Sequence, residues 1–453
     1  MRRTMSVRDI PSAAARRRAP RLATVAAAAV LAASASCHRP APAIERVVLV
    51  GIDGLDWKIL RPMIEAGRAP HLARFVAGGA SGDLSTLLPT YSPNLWASVA
   101  TGKVPGKHGI DGFAKRSASD AKKLVPFTSN MRRAKALWNV LGDAGKDVAV
   151  VGWWTTWPAE QVRGVMVSDR MQYNRFNIWL GLAHHGQDLP GQTWPRDLFE
   201  ELVDATVVDE KVEAEFFRRF DPENPEPVLR RDLHDPWYEL FLVYGRDRAY
   251  AEILDRVLDR GPYDFVAYYL NGPDIASHYF WKYRFPGEWP RPLPEEDVRR
   301  HGDVIESYYA WVDDSIAPLL EQADERCLVI VISDHGFVSG ARGDSRHISG
   351  IHYNTAPDGI IAMAGGGVPA GATLDRAGIL DIAPTVLHAL GLPVGRDMDG
   401  RVLPIFAEGT GASGVELTFV DTHETGDGPT DTEPRDTEHD EVILEKLRAL
   451  GYI

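Results

Sequence analysis

The feature that most constrains this chain is a set of short, uninterrupted apolar runs, each stopping at or just before an acidic residue. Val47-Val48-Leu49-Val50-Gly51-Ile52 ends in Asp53-Gly54. Phe265–Leu270 ends in Asn271-Gly272-Pro273-Asp274, with His278 four residues further on. Leu328–Ile332 ends in Ser333-Asp334-His335-Gly336. Runs that are apolar at every position and rich in β-branched residues read as strands covered on both faces. Asp147–Gly152 is a fourth run and Gly359–Ala364 a weaker fifth, with helix-like stretches at Trp57–Ala66, Tyr238–Asp259, Val304–Ala323 and Ile379–Leu390. The alternation predicts an α/β fold, a doubly wound, mostly parallel central sheet with helices on both faces. Ligands of such sheets bind beyond the carboxyl ends of the strands, where three strands each deliver an Asp and two add a His.

One carboxylate at such a turn is ordinary, because Asp caps helices and turns. Three of them, joined by two imidazoles, exceed what capping explains. Asp274 and His278 are spaced to share one face of a helix opened by Gly272-Pro273. Asp334 and His335 would point oppositely on a flat strand, so they converge only if the chain turns, which Gly336 permits. Mixed carboxylate and imidazole donors suit Zn²⁺ or, less selectively, Mn²⁺, whereas an all-carboxylate set would suit Mg²⁺ or Ca²⁺. Between the first two strands, Ser92-Pro93 is a helix start, with Ser92 predicted at the N-cap and the helix closing at Gly102. A helix N-terminus stabilises an anion, which makes Ser92 a candidate nucleophile and Thr90 its competing hydroxyl. Trp153 and Trp154 directly follow a strand and are candidates to stack on a substrate, with core packing as the alternative.

The ends of the chain differ from this body. Arg16, Arg17, Arg18 and Arg21 precede an apolar run of 14 residues, Leu22–Ala35, too short to span a membrane and suited to a signal-peptide core. Ser34-Ala35-Ser36-Cys37 resembles a bacterial lipoprotein cleavage site, so residues 1–37 are expected to be a signal segment with Cys37 as the lipidated residue. That implies an exported, membrane-anchored protein of the cell envelope. The first part of the α/β domain is expected over 44–170, an inserted lid over 171–240, the second part over 241–405, an acidic flexible linker over 406–440, and a docking helix over 441–453. The formal charge is −13, and residues 1–37 contribute +6 (seven Arg, one Asp), leaving −19 for the rest. No nucleic-acid scaffold is expected from so acidic a chain. Two cysteines exclude a disulfide framework, and Cys327, opening an apolar run, is expected to be a buried inert thiol.

Taken in order, these residues resemble the alkaline phosphatase superfamily and, within it, the type I phosphodiesterase/nucleotide pyrophosphatase group. The resemblance rests on Val50–Gly54, Pro89–Gly102, Pro105-Gly106-Lys107-His108-Gly109-Ile110, Asp274 with His278, Ser333–Gly336, Gly350-Ile351-His352 and Asp381–Thr385. The closing Leu450-Gly451-Tyr452-Ile453 also looks like bacterial envelope members of the group. The resemblance implies two divalent ions, one held by Asp274, His278 and His352, the other by Asp53, Asp334, His335 and the nucleophile, Ser92. It prefers His352 over its rival His347 and gives His108 a structural role. It further implies phosphoester hydrolysis through a phosphoseryl intermediate, on a small phosphoester or an envelope lipid or glycan. A phosphomonoesterase, an envelope phosphotransferase and an inactive binding lipoprotein are the alternatives. In the nucleotide pyrophosphatases an Asn shortly after the His-Gly-Ile turn contacts phosphate. Here Asp111-Gly112-Phe113 follows instead, leaving Asn94 or Lys103 as candidates for that contact. Sulfatase chemistry is not expected, because nothing around Ser92 resembles a sulfatase nucleophile motif.

Overall fold

The structure is a computed structural model that describes residues 44–453 except 118–119, 121, 172–188, 225–228, 231, 233, 342–346, 408–415, 425–436, 438–439 and 451. The expected signal segment and Cys37 lie outside the described residues. Ten strands form the central sheet: β1 (Arg46–Ile52), β2 (Ala80–Ser85), β3 (Val148–Val151), β4 (Gly164–Val167), β5 (Thr193–Trp194), β6 (Phe265–Leu270), β7 (Cys327–Ile332), β8 (Gly359–Ala364), β9 (Ala372–Thr373) and β10 (Ala377–Gly378). Their order is β9-β2-β8-β7-β1-β6-β3-β4-β5, with β10 also on β2. The run β7-β1-β6-β3-β4 is parallel throughout. The weaker run, β8, departs from the parallel expectation and lies antiparallel to both β7 and β2.

Burial on both faces explains why β1, β6 and β7 are apolar at consecutive positions. Val48, Val50, Val266, Tyr268, Val329 and Val331 enter one core. Their alternating neighbours Val47, Leu49, Ala267, Tyr269, Leu328 and Ile330 enter the other, as the two-residue period of a strand requires. Among the helices on the first face are α1 (Trp57–Glu65), α2 (Pro70–Gly78), α4 (Pro236–Leu258), α5 (Gly272–Arg284) and α6 (Val304–Leu320). Helices α3 (Ser92–Thr101) and α7 (Ile382–Ala389) cover the second. Asp56 caps α1 by accepting from the Lys58 amide at 2.7 Å and also takes the Phe337 amide at 2.9 Å. One carboxylate thereby ties the loops after β1 and β7 together.

Two regions differ from the expected organisation. The described part of 171–240 is not a separate lid. It adds β5 to the sheet edge and a helix, Glu210–Phe220, whose Phe216, Phe217 and Phe220 are buried in the first core. Those three phenylalanines serve packing. Within the expected linker, Phe419–Val420 pairs with Val394–Gly395, and Glu424 bonds Lys103 at 2.8 Å. Helix α8 (Asp440–Ala449) buries Leu444 and Leu447, and Asp440 pairs with Arg170 at 3.3 Å between two buried side chains. Cys327 is a buried free thiol. Among the described residues no helix is long and apolar enough to cross a membrane.

Helix α5 can lie where it does because Gly272 has no side chain. A Cβ there would sit 1.8 Å from Tyr308 Cζ, and Tyr308 is fully buried with its hydroxyl 3.1 Å from Asp247. On an exposed helix Gly→Ala stabilises by up to about 1 kcal/mol. Here the sign should reverse: Gly272→Ala is expected to destabilise by about 1–3 kcal/mol from overpacking, read as a lower denaturant midpoint at unchanged slope.

Candidate metal centre

Strands β1, β6 and β7 are adjacent and parallel, so their ends open on one edge. The pairing of Gly51 with Ile332, continued two positions, sets Asp53 level with Asp334. Asp274 is in the first turn of α5, directly after β6, and His278 lies one turn on, with Nε2 3.4 Å from Asp274 Oδ1. His352 follows a short hairpin, Val338–Ser339 with Gly350–Ile351. Its Nε2 is 3.2 Å from His278 Nε2 and 3.6 Å from Asp274 Oδ1. His335 Nε2 lies 3.3 Å from Asp53 Oδ1, 3.6 Å from Asp334 Oδ2 and 4.0 Å from Asp274 Oδ1. The His335 ring stacks on His352 at 3.8 Å. All six side chains are buried, and five of them form two groups that share His335, Asp53–Asp334–His335 and Asp274–His335–His352, with donor atoms within 4.8 Å of one another in each, while His278 adjoins the second through Asp274 and His352.

The partners of the imidazoles decide which nitrogens carry protons. His278 Nδ1 faces the Gly350 carbonyl at 2.9 Å and His335 Nδ1 the Gly336 carbonyl at 3.2 Å. A carbonyl only accepts, so both Nδ1 atoms are N–H donors. Thr90 Oγ1 directs its proton to the carbonyl of His352 at 2.9 Å or of Tyr353 at 3.1 Å. It therefore accepts from His352 Nδ1, 2.9 Å away. In each ring Nδ1 is thus the committed donor, and the three Nε2 atoms face the carboxylates.

This cluster is short of positive charge. Burial, with Asp53 and Asp274 nearby, pushes the Asp334 carboxyl well above the usual carboxylate range. Burial also opposes ionisation of Asp53, but His335, Tyr269 and Asp334 together hold its carboxyl below the usual range. Among the described residues, Asp53 Oδ1, both Asp334 oxygens and His335 Nε2 are buried without a hydrogen-bond partner, a costly arrangement unless a cation meets them. Anionic oxygens and imine nitrogens in one buried volume are the donor chemistry of zinc or manganese. A third group, His71 with Asp313 and Asp314, has a simpler explanation, because Asp313 accepts the His71 and Leu72 amides at the start of α2.

Ser92 opens α3 as its first residue, with Tyr91 at the N-cap and no side-chain cap bond. The expected capping hydrogen bond is absent, and among the described residues the Ser92 hydroxyl makes no hydrogen bond. Its neighbours touch both halves of the cluster: Thr90 bonds His352, and Trp96 Nε1 donates to Asp53 Oδ2 at 3.2 Å. Thr90, the rival hydroxyl, is a positioning group for His352. Asn94 is buried in the first turn, its Oδ1 without a partner among the described residues and its Nδ2 3.4 Å from the Pro89 carbonyl.

Other expectations are corrected. Lys103 does not face the cluster with a free charge: its ammonium bonds Asp397 at 2.7 Å and Glu424 at 2.8 Å. Burial opposes that charge, but the two carboxylates keep its pKa above the ordinary lysine range. Trp153 is a core residue, 1% exposed, edge-on to Trp96 at 5.1 Å and donating to the Trp96 carbonyl, so it cannot stack on a ligand. Trp154 is half-buried, donates to Tyr269 Oη at 2.6 Å and lies 5.9 Å from the Phe113 ring. His347 is exposed, apart from the buried group. His108 is buried between the Ser98 hydroxyl and the Ile110 amide, and burial with Arg132 and Arg133 lowers its pKa to about 3. Gly336 is required by lack of room, since a Cβ would meet Asp56 Oδ2 at 2.6 Å. Sequence reasoning missed Trp96 and Tyr269, both donors to Asp53, and the C-terminal Tyr452. Each looks like an ordinary core aromatic until its partner is known.

The sequence profile of the type I phosphodiesterase/nucleotide pyrophosphatase family matches residues 47–379. Among solved structures, the phosphonate monoester hydrolase of Silicibacter pomeroyi is similar, with 14% identity over 80% of this chain and 76% of its own, at a TM-score of 0.48. Murine ectonucleotide pyrophosphatase/phosphodiesterase 5 is similar at 13% identity over 77% of this chain and 95% of its own, with a TM-score of 0.43. The family match spans the strand ends that carry all six clustered side chains and the start of α3. The chain therefore belongs to the type I phosphodiesterase/nucleotide pyrophosphatase family and is a phosphoester hydrolase.

Proposed function

We propose that this protein cleaves phosphodiesters with Ser92 as nucleophile and two divalent cations as cofactors. The observation that carries the reading is the buried, charge-deficient cluster of Asp53, Asp274, His278, Asp334, His335 and His352 flanking the start of α3. Asp274, His278 and His352 would hold one ion, and Asp53, Asp334 and His335 the other, with Ser92 beside the second. Such ions lower the pKa of a hydroxyl and neutralise charge on the attacking and departing oxygens of an in-line displacement.

The chain's own residues define the rest. Ser92 Oγ forms a bond to phosphorus as the P–O bond to the leaving alcohol breaks, and the alcohol departs with a proton. Water then attacks the phosphoserine, the P–Oγ bond breaks, and Ser92 recovers its proton. No protein general base is needed, in keeping with a serine that has no His within hydrogen-bond reach among the described residues. Thr90 holds His352, and Trp96 and Tyr269 hold Asp53, each by a hydrogen bond that fixes the direction of the remaining lone pairs. The Asn94 side-chain Nδ2, which spends one N–H on the Pro89 carbonyl, would offer its second N–H to a phosphoryl oxygen. Lys103, held by two carboxylates, supplies no charge to a monoester dianion, which favours the singly charged diester. Tyr91 and Trp154, both partly exposed, offer aromatic surface for the second ester group. Export and anchoring through Cys37 would place an envelope lipid, glycan or small diester within reach, a reading supported by the sequence of residues 1–37.

Ser92→Ala is expected to lower kcat for bis-p-nitrophenyl phosphate by about 10³-fold or more, with normal folding and metal content. Thr90→Ala should retain measurable turnover and lose metal affinity instead. Full activity in Ser92→Ala with loss in Thr90→Ala would reverse the assignment. Chelation should abolish hydrolysis and Zn²⁺ or Mn²⁺ restore it, while Asp334→Asn should lose one ion and at least about 10-fold in affinity for it. Faster cleavage of p-nitrophenyl phosphate than of the diester would refute the diesterase reading.

A further inference from the structure

The indole of Trp154 reaches the cluster through one intermediate. Its Nε1 donates to the Tyr269 hydroxyl at 2.6 Å, and that hydroxyl bonds Asp53 Oδ2. An indole N–H can only donate, so Tyr269 Oη accepts from Trp154 and directs its own proton to the carboxylate. Trp96 Nε1 donates to the same oxygen at 3.2 Å. Oδ2 is thereby engaged twice. Oδ1, buried without a hydrogen-bond partner among the described residues and 3.3 Å from His335 Nε2, is the oxygen left to face a cation. Hydrogen bonds linked in such a chain polarise one another, so the first donor strengthens the second.

The loop that carries Trp154 holds the indole in this direction. Thr155 has φ +55°, a left-handed conformation that a β-branched residue rarely adopts. Asp169, two residues beyond β4, fixes the turn by accepting the Thr155 amide at 3.0 Å and the Trp157 amide at 2.9 Å. Its own amide donates to Thr156 Oγ1 at 3.0 Å. Burial does not account for so constrained a turn, because Trp153 fills the core while Trp154 stays half-buried. Strain of this kind persists where the surroundings over-determine a conformation, and it clusters at functional sites. What the turn fixes is the aim of one N–H at Tyr269.

We propose that Trp154 is a positioning residue for the cation beside Asp53, acting through the Tyr269 hydroxyl. The proposal rests on the reading of Asp53, Asp334 and His335 as ligands of that ion. Trp154 keeps the Tyr269 proton on Oδ2, and the carboxylate is held with Oδ1 turned toward the ion.

The test uses the full chain stripped of metal. Zn²⁺ would be titrated against a chromophoric chelator, and Co²⁺ substitution followed by its visible absorption. Wild type is expected to bind two ions, one of which Asp334→Asn loses. Tyr269→Phe should weaken that ion about 10-fold. Trp154→Phe, which keeps an aromatic ring but no N–H, should weaken it at least about 3-fold. Each should alter the Co²⁺ spectrum of that ion and leave the other's unchanged. The two losses should not add: once the Tyr269 hydroxyl is gone, Trp154→Phe should cause little further weakening. A merely looser fold would weaken both ions. Unchanged affinity in Trp154→Phe, weakening of both ions or of the other ion alone, or full additivity in the double variant would overturn the proposal. A wild-type protein that binds no ion would sink the ligand assignment itself, and the proposal with it.

Discussion

Where β1, β6 and β7 run side by side, Asp53 and Asp334 are carried into a fully buried volume in which, among the described residues, neither pairs with Lys or Arg. Among the described residues their close basic neighbour is His335, whose Nδ1 is turned away to a backbone carbonyl. Two carboxylates cannot both ionise there without a counter-charge. The rest of the structure depends on that constraint. It bears on three parallel strands, buried on both faces, each followed within four residues by an Asp. It also explains why the surrounding hydrogen bonds leave lone pairs facing inward.

The two faces of the sheet contribute different parts. The face carrying α5 supplies Asp274 and His278 from one helical turn, and Gly272 lets that helix close on Tyr308. The opposite face carries α3, whose start holds Ser92 between a residue that touches His352 and one that touches Asp53. The cluster thus sits at the rim where two independently packed cores meet. A shift of either helix would separate the start of α3 from the acidic and imidazole groups, so the two large cores serve geometry at the site as well as stability.

Much of this was legible in the sequence, for identifiable reasons. Strands buried on both faces announce themselves by continuous apolar runs, and a carboxylate placed just after such a run is conspicuous. Strand β2, Ala-Ser-Gly-Asp-Leu-Ser, carries no such signal because only Ala80 and Leu84 are buried. His352 lies just after a short hairpin, in a stretch without periodicity, so only resemblance reached it. Lys103 was misread because its partners, Asp397 and Glu424, are 294 and 321 residues away along the chain. Trp153 was misread because a tryptophan after a strand looks the same whether it lines a cleft or fills a core. Tyr452 belongs with these: the closing Leu450-Gly451-Tyr452-Ile453 drew notice only by resemblance, and its partners are 174 and 100 residues distant.

The most direct measurement of the central claim is anomalous diffraction at the zinc edge from crystals grown with Zn²⁺. The account predicts two strong peaks, about 3.5–4 Å apart as in two-metal hydrolases, both inside the Asp53, Asp274, His278, Asp334, His335, His352 cage and one beside Ser92 Oγ. No peak in that cage, or peaks only on surface residues, would contradict it.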